Sequence, residues 1–331
     1  MLVRRRSAPL TSLRLSCPAD VGESRLLLRR DRALANAGVR PKQATGTSAD
    51  GNINLLRDRW VIPVLDARHR AVIVAFLTWA VAPLWLKLAV AQPSVVNTEV
   101  SGTAFRITLS DGSVTQGTSL AGAVLVFDID GKPVRVRITA IAPDQNDKAL
   151  LLHDLRVDGT DTPLCRPDPD GKQLGFPLAG RTAPDGRFVE AGPGVFELVC
   201  TSGAQGKCVR FGYHPWESAP DGRPMRDYFD ACVRMLRADY CGDGHGWTRD
   251  GTIIDVWDDH GIQKTDAMSN PTLSFEAGWR PDGAICVAHT RIPENITLDK
   301  LKALCPRLAI VPTCDETSAR AAGALLFNRS R

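Results

Sequence analysis

Cysteine is almost missing from the first half of this chain, methionine is missing from most of it, and both gaps carry information. Only Cys17 precedes residue 165, whereas the other eight of nine cysteines follow it. No methionine occurs between Met1 and Met225, so a start anywhere in that interval would need a non-AUG codon. The six histidines show no paired spacing, and cysteines held in disulfides cannot ligate, which argues against zinc. Beyond Gln92 there is no clustered stripe of Lys and Arg, and the first basic residue is Arg106. Nucleic acid would require such a stripe, so that partner class is excluded.

What is present begins with an apolar segment at 71–86, preceded by Arg68-His69-Arg70 and followed by Leu88-Ala89-Val90-Ala91 before Gln92. A basic flank, an apolar centre and small residues at the −3 and −1 positions are the three parts of a secretory signal peptide. Residues 71–91 are therefore read as a signal peptide cleaved between Ala91 and Gln92. The competing reading is a signal anchor that spans the membrane, for which ~20 apolar residues are needed. Lys87 shortens the run, and Pro83 removes one helical hydrogen bond. Either way, basic residues stand on the near side and residues 92–331 lie outside the cytosol. The membrane would be touched only through 71–91, if uncleaved.

Residues 1–70 form a basic N-terminal extension without apolar periodicity, carrying 14 Lys and Arg against 6 Asp and Glu. That surplus exceeds the whole-chain net charge of +4, so the exported part is mildly acidic. A signal peptide so far from the first methionine is abnormal. Val64 opens an ordinary one, and residues 1–63 are read as a gene-model artefact from GC-rich DNA, against a disordered basic cytoplasmic tail. Mass spectrometry of the native N-terminus separates the two: a peptide from residues 1–60 excludes the artefact.

The exported part divides by composition into a small β domain over 92–160, free of cysteine, and a cystine-rich domain over 165–331. The clearest β signal is Val124–Ile129, then Asp130-Gly131, then the alternating Val134-Arg-Val-Arg-Ile-Thr139, which predicts a hairpin. Further strands are expected at 104–109 and 150–157. Turn-rich sequence follows over 160–195. Beyond it, 195–200 and 207–213 read as a second hairpin, with strands at 252–257 and 284–289. Apolar residues at Met225, Tyr228, Phe229, Cys232, Val233, Met235 and Leu236 follow helical spacing, and a short helix is expected over 298–304. The predicted fold class is α+β, mainly antiparallel β, with one amphipathic helix on a disulfide-stapled C-terminal domain.

An even set of thiols downstream of an export signal predicts disulfides. Cys200–Cys208 would face each other across the second hairpin, and Cys305–Cys314 would close a short loop. Cys232, on the core side of its helix, would bridge to Cys286 on a strand, leaving Cys165–Cys241 as the remainder.

The stretch Ala238-Asp-Tyr-Cys-Gly-Asp-Gly244 resembles the signature of the ADYC domain, a bacterial family named for those four residues. The resemblance covers about 195–328. It takes in Cys208-Val-Arg-Phe-Gly-Tyr213, Pro215-Trp216, Cys232-Val-Arg-Met-Leu-Arg237, Thr248–Thr252, Ser274-Phe-Glu-Ala277, Cys286, Cys305-Pro306 and Ala324–Ser330. It implies export and this cysteine pattern, and it implies no activity.

Sharper chemistry at the motif competes with structural roles. Cys241 would serve as a nucleophile if His245, His260 or His289 stabilised its thiolate. A free thiol there would leave an odd cysteine in an oxidising compartment, which favours a disulfide. An Asp/His pair of His245 with Asp243 or Asp250 is the other hydrolytic arrangement. Asp239, Asp243 and Asp250 could offer oxygens to calcium, but their spacing is not that of an EF-hand loop, and Asp-Gly is a common turn. No cofactor is implied. His153, His214, His260 and His289 read as polar residues at strand ends. Trp216, Trp247, Trp257 and Trp279 are core residues, or a carbohydrate or peptide platform if they share an exposed face. The expectation is thus a secreted, periplasmic or membrane-anchored binding or structural module of unknown partner, with an exported hydrolase as the alternative.

Overall fold

Alternating β-branched sequence forms strands where it was expected to. In the computed structural model, which describes residues 15–16, 93–129, 132–266, 268, 271–311 and 313–331, a three-stranded antiparallel sheet comes first. It consists of β1 (Val95–Ser101), β2 (Ala104–Leu109) and β3 (Val114–Gln116). The anticipated hairpin follows as β4 (Val124–Ile129) and β5 (Lys132–Pro143), registered from Val124↔Arg137 to Ile129↔Lys132. Pro133 lies outside the stretch of β5 that pairs with the next strand, which begins at Val136, so its missing N–H costs no bond there.

That next strand is β6 (Leu151–Val157), and β7 (Leu174–Ala179) and β8 (Phe196–Cys200) complete a second antiparallel sheet in the order β8-β7-β6-β5-β4. Leu15–Ser16 runs parallel to Leu198–Val199 at its edge. This sheet takes strands from both sides of residue 160, where composition placed the division between a 92–160 and a 165–331 unit. Phe105 and Ile107 of β2 pack against Phe127, Val136, Ile138 and Phe196, so the two sheets share one apolar cluster. The expected extension and signal segment, with the Ala91/Gln92 junction, lie outside the described residues, save Leu15–Ser16.

The predicted second hairpin does not form. After β8 the chain turns at Gly203 into a helix, α1 (Ala204–Arg210), rather than a strand at 207–213. The sequence Cys-Val-Arg-Phe alternates loosely, yet Cys208 and Val209 are neighbours and both fully buried, which a helix face allows and a half-wet strand does not. The amphipathic helix α2 (Met225–Arg237) forms as expected. Its apolar side is surrounded: Phe176 and Leu178 of the second sheet lie in the same cluster as Ala277, Trp279 and Leu326 of a third.

That third sheet is built from β9 (Asp255–Asp258), β10 (Ser274–Arg280), β11 (Gly283–Val287) and β12 (Leu326–Ser330), all antiparallel in the order β9-β12-β10-β11. The last strand of the chain thus occupies an interior position. Two short helices, α3 (Leu298–Leu304) and α4 (Glu316–Ala321), link β11 to β12. Ala319 of α4 packs in a smaller cluster with Trp257, Cys286 and Phe327. Among the described residues the fold is α+β and mainly antiparallel, with four disulfides. Among the described residues no helix is long and apolar enough to cross a membrane.

All four cysteine pairings differ from expectation. Cys200 joins Cys165, and Cys208 joins Cys232, because α1 replaces the hairpin partner strand and lies against α2. Cys286 does not meet Cys232: it belongs to the outer cluster of the third sheet, whereas α2 packs in the inner one, and its mate is Cys314. Cys305 lies in the inner cluster and so cannot close a local loop with Cys314; it joins Cys241. The Cα–Cα separations run from 5.5 to 5.8 Å, within the usual disulfide window.

Candidate functional site

Each residue of Ala238-Asp-Tyr-Cys241 has a structural task, and each task follows from where α2 stops. Ala238 ends the helix in the left-handed region, at φ 52°, and is fully buried. Its N–H bonds to the Met235 carbonyl (3.0 Å) and that of Asp239 to Arg234 O (2.9 Å), which satisfies carbonyls the helix end would leave open. The Asp239 carboxylate then accepts the backbone N–H groups of Gly242 (2.9 Å), Asp243 (3.2 Å) and Gly244 (2.9 Å). It also pairs with the buried Arg234 guanidinium, whose remaining bonds reach Asp185 O and Pro281 O. Gly242 has φ 72°, and a Cβ there would run into the Asp282 carbonyl, so the turn demands glycine.

Tyr240 reaches into a buried polar network. Its hydroxyl donates to Glu276 Oε1 (2.9 Å) and accepts from the Arg291 backbone N–H (2.8 Å), while its ring stacks on Trp279 with centroids 5.3 Å apart. Glu276 on β10 takes two bonds from the Arg291 guanidinium (3.0 Å each) and one from Asn328 Nδ2 (2.7 Å). The same guanidinium donates to Met235 O and Leu236 O, capping α2 from a second direction. Burial alone would push the Glu276 carboxyl up, but Arg291 and the neighbouring donors outweigh it and hold it below the usual range. Burial and the Glu276 charge push the Tyr240 hydroxyl well above its ordinary value, so it remains a donor.

Cys241 is tied to Cys305, which removes it as a thiolate nucleophile. Asp243, His245 and Asp250 are exposed. Asp243 accepts the backbone N–H of His245 (2.9 Å), a turn contact, while the imidazole packs on Trp247 at 4.2 Å. Among the described residues no hydrogen bond joins that imidazole to a carboxylate. The calcium candidates are not gathered either: Asp239 is committed as above, and no group of three or more His, Cys, Asp or Glu that could hold a metal occurs among the described residues. Of the tryptophans, Trp257 and Trp279 are buried and Trp216 is 41% exposed, its face stacked on His214. His153 is not at a strand end but within β6, fully buried.

A cleft of about 540 Å³ opens beside this hub. It is lined by Ser202 and Gln205 at the β8–α1 junction, by Val199 of β8, by Val233 and Leu236 of α2, and by the Thr248–Ile254 segment. Arg291 lines it too, so the buried network and the cleft share a residue. Among the described residues no nucleophile paired with a base lies along it. Apolar and polar side chains together around that volume suit a small bound molecule.

Sequence reasoning found the motif and missed its partners. Arg291 carries no local signal. Glu276 had one, a lone charge inside the apolar strand Phe-Glu-Ala-Gly-Trp, where both flanking positions face packing. Gln205 stood in a segment read as loop and could not be found from the pattern.

The ADYC domain family model matches residues 117–293, a span that begins before β4 and reaches past Arg291. No curated protein and no solved structure matches the chain.

Proposed function

The chain belongs to the ADYC domain family, and we propose that this member is an exported, disulfide-stabilised binding module without catalytic chemistry. Its four disulfides fit an oxidising, extracytoplasmic compartment. The protein is then either secreted or periplasmic after cleavage between Ala91 and Gln92, or held at the membrane by residues 71–91. The observation that carries the reading is the commitment of the motif: its aspartate, tyrosine and cysteine are spent on holding α2, the 242–244 turn and β10 together. What remains accessible beside them is a cleft, which supports binding.

Counting free thiols on the exported, non-reduced protein tests it. None is expected. Two or more reactive thiols in the residues from Cys165 onward would reopen thiol catalysis and overturn the reading.

A further inference from the structure

We propose that the hairpin over residues 181–190 is a movable wall of the cleft, latched shut in acid by the Phe188 N–H on Asp230 and loosened as pH rises towards neutral. As a gate it rests on the binding-module reading; as a latch it does not. Two short strands, Arg181–Thr182 and Phe188–Val189, pair as an antiparallel ribbon whose tip is closed by the Ala183 N–H to Arg187 O bond (2.8 Å). Thr182 and Gly186 of this ribbon line the cleft. In this register the N–H groups of Thr182 and Phe188 point outward, to opposite sides of the ribbon. The Thr182 N–H and hydroxyl go to the buried Glu197 carboxylate on β8, and the Phe188 N–H goes to Asp230 Oδ1 on α2 (2.9 Å). The ribbon thus hangs between the second sheet and the helix, so releasing the helix side lets it turn about the sheet side. Gly180 before it and Gly194 after it, at φ 125° and 78°, supply hinges in backbone that other residues rarely adopt.

The helix side of the latch is a buried acid. Asp230 is 7% exposed and follows Phe229, whose ring meets the Phe188 ring edge-on at 5.6 Å. The charges that act on it are Arg226, Asp227 and Arg234 on its own helix and Arg187 on the ribbon. Each guanidinium is engaged elsewhere: Arg234 with Asp239, Arg226 with Glu190 (2.8 Å) and Arg187 with Asp185 (2.7 Å). Burial therefore outweighs them and the Phe188 N–H, and raises the Asp230 carboxyl from 3.8 to about 7. With the ribbon lifted, the carboxyl meets water and returns to its ordinary range. Between those two values the open form holds the charge while the closed form must keep the proton, so each pH unit favours opening about tenfold. Above about pH 7 both forms are ionised and the effect levels off. The remaining ties to α2 are the Phe188 ring, which is 5% exposed, and the Arg234 bond to Asp185 O. They set the cost of opening and do not titrate in this range.

The test uses the full chain expressed with export and purified oxidised. Hydrogen–deuterium exchange is followed from pH 5 to pH 8 by mass spectrometry of peptides covering 183–190 and 225–237, with intrinsic base catalysis corrected for. The opening constant of 183–190 should rise about fiftyfold between pH 5 and pH 7 and level off by pH 8, while 225–237 stays protected. Asp230→Asn should remove the rise and keep 183–190 slow at every pH. A flat profile in the parent protein, or the same rise in Asp230→Asn, overturns the latch. The parent series decides by itself if the variant does not fold. Exchange of 225–237 in step with 183–190 reports unfolding of the whole body and overturns the movable wall. Each of these failures leaves the module reading standing, since the free-thiol count tests that reading separately.

Discussion

Replacing Tyr240 by Phe removes one oxygen and leaves everything else. The ring keeps its place on Trp279, and Glu276 keeps its bonds from Arg291 and Asn328. Two interactions disappear: the donation to Glu276 Oε1 at 2.9 Å and the acceptance from the Arg291 N–H at 2.8 Å. A bond to a charged group contributes about 1.5–3 kcal/mol, and an orphaned buried N–H costs about 1–3 kcal/mol. Because the two losses overlap at one site, the expected destabilisation is about 3 kcal/mol rather than their full sum. For a body of this size that corresponds to a fall of about 6–12 °C in melting temperature. Urea unfolding of the oxidised protein at neutral pH measures it, monitored by tryptophan fluorescence together with far-ultraviolet circular dichroism. A double-mutant cycle with Glu276→Gln should show coupling between the two positions, since the hydroxyl and the carboxylate share a bond. A loss below about 1 kcal/mol would refute the claim that the motif tyrosine is held for its hydroxyl. The network would then be replaceable by ring packing alone.

Three further outcomes follow from the same structure. His153 is fully buried against Phe105, and burial lowers its pKa to about 4 from the 6.5 of an exposed imidazole. The unfolded chain therefore binds the proton first, and stability should fall by up to about 3 kcal/mol as pH drops from about 6.5 to about 4. His153→Leu should flatten that slope; an unchanged pH profile would contradict it. Asp230 goes the other way: burial raises it to about 7 despite the Phe188 N–H it accepts, so its contribution is present at acid pH and lost as pH rises through 7. Asp230→Asn should be the more stable protein at pH 8, by up to about 4 kcal/mol, with the difference vanishing below pH 4 in parallel denaturant titrations. Removing the Cys241–Cys305 bridge as Cys241→Ser with Cys305→Ser opens a span of 64 residues and should cost about 4 kcal/mol on the chain-entropy account. A midpoint in urea equal to the parent's would show that Arg307, which bonds Tyr240 O and Cys241 O, already holds the segment.

Much of the local structure is legible in the chain. The β4–β5 hairpin, β6, α2 and α3 occupy the residues their periodicity indicates, because alternation and three–four spacing are properties of near neighbours. Where a segment is too short for periodicity to decide, local preference misleads: residues 207–213, with Val, Phe and Tyr, favour a strand in isolation, yet 207–210 form the second half of α1. The buried position of α1 against α2 overrides that preference. The same error carried the Cys200–Cys208 pairing with it.

By itself the sequence indicated that thiols would pair, since the eight cysteines from Cys165 onward leave none over, and that the Ala238–Gly244 stretch carries the ADYC signature. Only tertiary structure decided which thiols pair, because Cys232 and Cys286 sit on good elements but in different apolar clusters, on opposite faces of one sheet. It likewise decided that Asp239 and Tyr240 meet Arg234 and Glu276, and that Gln205 borders a cleft. Spacing along the chain encodes which face a residue takes within its own element. Which faces meet is settled by the packing of elements far apart in sequence.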